Sequence, residues 1–223
     1  MDRPVRLLVA SELPLVAEAI RAALRGRGFV AMVLHVRLGG VFAAQERAVR
    51  RFAPDLLLVA SELVRPLRLH DVRELVHELA LPCVVLTERE PGPVWGAMLD
   101  SGADEVIPTS AALDEVETIL RRVLAGEGLM AQATREQLLR AWRITERESA
   151  ELNRRIAALT PRELETIQLL HAGRTVLEIA DLCRVADGTV RSHVRSILRK
   201  LAVNSQLAAV ATYTRFLSLD RSS

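Results

Sequence analysis

The sequence predicts an α/β domain followed by an all-α domain. A five-stranded, doubly wound parallel sheet is expected over residues 1–125, a linker helix over 126–158 and a four-helix domain over 159–223. Three observations lead there. Short, nearly continuous apolar runs such as Val5–Ala10 and Asp55–Ala60 alternate with helix-period segments, as strands covered on both faces do. Residues 126–158 then turn to Ala, Glu, Arg, Gln and Leu, all good helix formers. From Leu159 onward, helix caps recur at short intervals with no strand pattern between them.

The elements follow in order. After Val5–Ala10, Ser11 is placed to cap a helix carrying Leu15, Ala19, Ile20, Ala23 and Leu24 at helical spacing, with Gly26 and Gly28 ending it. Phe29–Val36 reads as a strand, Phe42–Phe52 as a helix and Asp55–Ala60 as the third strand. Helix Leu69–Leu79, strand Cys83–Leu86, helix Val94–Leu99, strand Glu105–Ile107 and helix Ala111–Leu124 complete five strand–helix units. In the linker, Leu138, Leu139 and Trp142 form one apolar patch and Leu152, Ile156 and Leu159 another. The polar stretch Arg143–Ser149 between them predicts an interrupted or frayed middle.

Half of the 223 residues are apolar and 26% are charged, ordinary values for a globular protein. No apolar run approaches the roughly 20 residues of a membrane span. The start, Met1-Asp2-Arg3-Pro4, lacks a signal-peptide layout, so a cytoplasmic protein without a membrane partner is expected. Cys83 and Cys183 lie in apolar surroundings in different halves and read as reduced thiols. The net charge of +2 hides a division. Residues 1–125 carry 15 Arg and 17 acids, whereas 159–217 carry 8 basic and 5 acidic residues. A basic module behind an acidic front is the coarse mark of a nucleic-acid binder.

In an open parallel sheet, chemistry gathers at the carboxyl ends of the strands. Here those ends are Ser11-Glu12, Ala60-Ser61, Thr87 and Pro108-Thr109. Together with Leu13-Pro14-Leu15-Val16, Pro54-Asp55 and Gly102-Ala103, this layout resembles the receiver domain of bacterial response regulators, a flavodoxin-like, CheY-like fold. The resemblance implies a Mg²⁺-binding acid pair after strand one, an aspartate phosphoacceptor ending strand three and a lysine after strand five. This chain has Ser11 and Glu12, Ala60, and Thr109 at those places; Glu12 and Thr87 are what remains. One carboxylate makes a poor site for a hard cation, and alanine accepts no phosphoryl group. Asp55 opens its strand and lies at the opposite edge. The receiver is therefore expected to be degenerate: a dimerisation or docking body, or a pocket (Ser11, Glu12, Ala60, Thr87, Thr109) that binds a small molecule. Trp95, beside the rim segment 87–94, is weighed as packing or as a lid.

Thr160-Pro161-Arg162-Glu163 is a capping box with proline at the first helical position, and Thr175-Val176-Leu177-Glu178 is a second. A turn at Arg184–Gly188 leads into a helix from Thr189 to Leu201, and a last helix, Asn204–Leu217, puts Leu207, Val210 and Leu217 on one side. About 55 residues here resemble the LuxR-type helix-turn-helix of the NarL/FixJ response regulators. The resemblance places base-edge contacts on Arg191, Ser192 and Arg195. Thr189, His193, Arg199 and Lys200 are the candidates for phosphate contacts, with packing under the helix the alternative for His193. Ala186 replaces the usual capping serine, so Asp187 is expected to cap one residue later; Leu177 replaces a common lysine.

The expectation is a transcriptional regulator that binds double-stranded operator or promoter DNA, independent of aspartyl phosphorylation. A homodimer reading half-sites about one helical turn apart is expected, with RNA polymerase as a further contact. A metabolite-sensing regulator and an interaction protein acting through heterodimers are the alternatives. The carboxyl edge offers no nucleophile–base pair, phosphate-cradling loop or metal cluster, so no enzymatic activity, cofactor or metal is expected.

Overall fold

The computed structural model describes residues 3–35, 42–61 and 66–220. The chain divides into two compact units between Ile144 and Thr145.

The first unit holds strands β1 (Val5–Ser11), β2 (Phe29–His35), β3 (Leu56–Ala60), β4 (Cys83–Thr87) and β5 (Glu105–Pro108). All pair in parallel, in the order β2-β1-β3-β4-β5. Successive side chains of a strand face opposite ways, and both faces are filled here. Leu7, Val9, Leu56, Leu58, Val84 and Leu86 pack under α1 (Pro14–Leu24) and α5 (Leu113–Leu124). Leu8, Ala10, Leu57, Val59, Cys83 and Val85 face the other way, in one core with α3 (Pro66–Leu79) and α4 (Pro93–Asp100). Helix α2 (Phe42–Phe52) adds Val49 to that second layer. Val36, expected to end β2, lies outside the described residues.

The linker departs from expectation. Gln132–Ala157 is one unbroken helix, α6, with no interruption at 143–149. Its amino-terminal part belongs to the first unit, where Leu138 joins the core beside α4. Leu152 and Ile156 belong to the core of the second unit. The polar middle is a solvated stretch of helix, because residues such as Arg and Glu favour the helical state without needing an apolar partner. Glu105, buried at the start of β5, accepts the N–H groups of Leu129 and Met130 and so fixes the approach to α6.

The second unit adds α7 (Pro161–His171), α8 (Val176–Cys183), α9 (Asp187–Leu201) and α10 (Gln206–Asp220). Ile167, Leu170, Ile179, Val190, Ile197 and Leu201 close its core. On α10 the buried positions are Ala209 and Tyr213, while Leu207 is 80% exposed. Of the stripe expected on this helix, Val210 and Leu217 pack against the core and Leu207 does not; Ala209, Tyr213 and Phe216, spaced by four and three, also face inward. Among the described residues no helix is long and apolar enough to cross a membrane.

Candidate nucleic-acid interface and the carboxyl edge of the sheet

Helices α8 and α9 are joined by a sharp turn. Val185 N–H donates to Ala180 O at 3.0 Å and Arg184 N–H to Asp181 O at 3.2 Å, the paired bonds of a Schellman stop. Arg184 takes the left-handed conformation that this stop requires, at φ 53°. Helix α9 then buries Val190, Ile197 and Leu201 and half-buries Val194 and Leu198. Arg191, Ser192, Arg195 and Arg199 are exposed. The three arginines follow one another at four-residue intervals, so one face presents a guanidinium row about 12 Å long at 1.5 Å per residue. Thr189 is exposed near the helix start, and His193 is half-buried on the flank.

This face is held from behind. Thr160 and Glu163 form the complete capping box of α7. The buried Glu163 carboxylate accepts the Thr160 N–H at 2.7 Å and the Lys200 ammonium at 2.6 Å. Burial alone would raise its pKa, but hydrogen bonds from Lys200, Ser196 and Thr160 outweigh that and lower it to about 2. Thr175 and Glu178 complete the second capping box, on α8.

The carboxyl edge of the first unit gathers the other predicted positions. Ser11 is buried, lies opposite Ala60 in the β1–β3 pairing, and accepts the Leu13 N–H at 3.1 Å. Ser61 Oγ donates to Glu12 Oε1 at 3.2 Å. Thr87 is buried with its hydroxyl accepting the Arg89 N–H at 3.2 Å, and its carbonyl accepts the Thr109 N–H at 3.1 Å. Asp55 sits before the start of β3, at the opposite end of that strand from Ala60, accepting the Arg6 N–H at 2.9 Å and pairing with Arg3. Among the described residues, no group of three or more His, Cys, Asp or Glu side chains is placed to hold a metal ion.

Residues 157–213 match the family of bacterial regulatory proteins of the luxR type. The curated relatives include the transcriptional regulatory protein LnrK of Bacillus subtilis, 22% identical over 95% of this chain and 97% of that protein. The probable transcriptional regulatory protein NarL of Mycobacterium tuberculosis is 27% identical over 97% and 96% of the two chains. Residues 157–213 thus carry the luxR-type module, and the chain as a whole is similar in length and order to these regulators. Both of these relatives are named as transcriptional regulatory proteins. Among solved structures, RcsB of Salmonella enterica serovar Typhimurium bound to a promoter aligns over 94% of this chain and 98% of that one, at 18% identity and a TM-score of 0.47.

Three residues take places that the sequence left open or put elsewhere. Lys200, expected at a phosphate, is tied to Glu163 inside the domain, with a quarter of its side chain exposed. Asp187 does not shift the cap of α9. The N-cap residue is Ala186, which has no capping side chain, and Asp187 occupies the first helical position, where Oδ1 accepts the Gly188 N–H at 2.8 Å. Of the two readings of Trp95, packing is the one observed: it is buried, and its indole N–H donates to the Arg89 carbonyl at 2.7 Å. Sequence reasoning missed Gly96. A Cβ there would lie 2.1 Å from Leu138 O, so α4 and α6 meet backbone to backbone. A glycine inside a helix of apolar residues was the available signal.

Proposed function

We propose that this regulator reads DNA through Arg191, Ser192 and Arg195, with Thr189 and Arg199 on flanking phosphates, and that phosphorylation of an aspartate at the sheet edge does not control it. The observation behind the first part is the exposed guanidinium row of α9 above a fully packed core. Arginine forks onto guanine O6 and N7, and a recognition helix places such side chains in a groove about 12 Å wide. The second part rests on Ala60, which ends β3 with a methyl group in the position where the receiver resemblance implies an aspartate.

The protein acts as a homodimer, since two half-sites double the contacts that one short helix can make. A metabolite-sensing pocket has less support: the Ser11 and Thr87 hydroxyls are already engaged with the nearby Leu13 and Arg89 N–H groups. Domain limits near 125 and 158 are kept as working boundaries for truncation, with α6 left whole. The decisive experiment is selection of bound duplexes from random-sequence DNA, followed by titration of wild type and Arg191→Ala/Arg195→Ala. Recovery of a defined motif that the double variant no longer prefers supports the reading. No enrichment by wild type would reject it.

A further inference from the structure

The start of α9 holds a negative charge at the end of a helix facing DNA, where the exposed donors of a first turn otherwise attract phosphate. Asp187 uses both oxygens there. Oδ1 accepts the Gly188 N–H at 2.8 Å, and Oδ2 lies 3.6 Å from Nε of Arg191 one turn on. Thr189 N–H is taken by the Ala186 carbonyl at 2.9 Å, so the first turn satisfies two of its own donors. Both Asp187 and Arg191 are more than half exposed, so neither is held by the core.

We propose that Asp187 is a specificity-setting residue of the DNA interface. It denies the helix end to backbone phosphate and orients the Arg191 guanidinium toward a base edge. Removing its charge opens a sequence-independent contact and frees Arg191 to meet any phosphate. Asp187 thus lowers affinity for all DNA and raises discrimination among sequences. The inference rests on the reading of α9 as the DNA-contacting helix.

The test uses full-length wild type, D187N and D187E, titrated with a selected duplex and with a random-sequence duplex over a range of salt. Asparagine keeps an acceptor for the Gly188 N–H but loses the charge; glutamate keeps the charge. D187N should bind random DNA more tightly, with the log–log salt dependence steeper by about one phosphate contact. Its preference for the selected duplex should fall about tenfold, the low end of one base contact's discrimination. D187E should keep the wild-type salt slope. An unchanged slope and preference in D187N, with wild type binding its selected duplex, would overturn the proposal. A mere cap would weaken both duplexes equally, which also overturns it. Absence of any DNA binding by wild type would reject the reading of α9 itself.

Discussion

The Lys200 ammonium lies 2.6 Å from Oε2 of Glu163, the residue that completes the capping box of α7. One carboxylate therefore closes the start of α7 and ties down the last turn of α9. Only 8% of the Glu163 side chain is exposed, so the pair is shielded from solvent screening on that side.

The pair makes stability depend on acid pH. The Glu163 carboxyl titrates at about 2 when folded, below its ordinary 4.5. Between those values the unfolded chain binds the proton and the folded chain does not. Its contribution is complete above about pH 4.5 and disappears as pH falls through 2, amounting to on the order of 3 kcal/mol. Urea unfolding at several pH values should show this slope in wild type and a shallower one in Glu163→Gln.

Arg191→Ala with Arg195→Ala should cost specific affinity without unfolding the protein, because both side chains are exposed. Each bidentate base contact is worth roughly 1–3 kcal/mol, so the double variant should lose on the order of 100-fold for its motif. Fluorescence anisotropy checks the binding and thermal denaturation checks the fold. Unchanged affinity would remove these residues from the interface.

Gly96→Ala should separate α6 from α4. The added methyl meets Leu138 O at 2.1 Å and Trp142 Cβ at 2.8 Å, and the first of these is backbone that cannot rotate away. Relief by helix movement should cost about 1–3 kcal/mol. A lowered melting temperature, with altered Trp142 fluorescence, is expected; wild-type values for both would contradict the close approach.

Ala202→Gly should stabilise the second unit. Ala202 ends α9 at φ 55°, with the Val203 N–H bonded to Leu198 O, so a residue with a Cβ occupies the left-handed stop. Glycine removes that strain and loses no packing, since Ala202 is exposed. A gain of about 0.5–1 kcal/mol is expected in chemical unfolding.

Incubation with a small phosphodonor and Mg²⁺ should leave the chain unmodified by intact-mass spectrometry, given Ala60 at the end of β3. A stable phosphoryl adduct would restore control by phosphorylation.

Periodicity carried most of the fold. The apolar runs of β1, β3 and β4 alternate between two cores because strand side chains face opposite ways, and that much is local geometry. The exposed arginines of α9 were legible for the same reason: four-residue spacing shares a helix face. The polar middle of α6 misled, because helix continuity there needs only favourable local propensity, and an apolar stripe is not required.

The Lys200–Glu163 pair was not legible in the sequence because its members stand 37 residues apart. Its charge suggested phosphate; the packing of α7 on α9 gave it a carboxylate. The sequence by itself determined the two kinds of domain, the caps at Thr160 and Thr175, and the arginine row, all of which follow from neighbours within a turn or a strand. Only the tertiary structure decided that Lys200 pairs with Glu163, that Trp95 is buried and that Gly96 admits α6. Those depend on which surfaces meet, a matter of shape and desolvation between distant segments that no local pattern records.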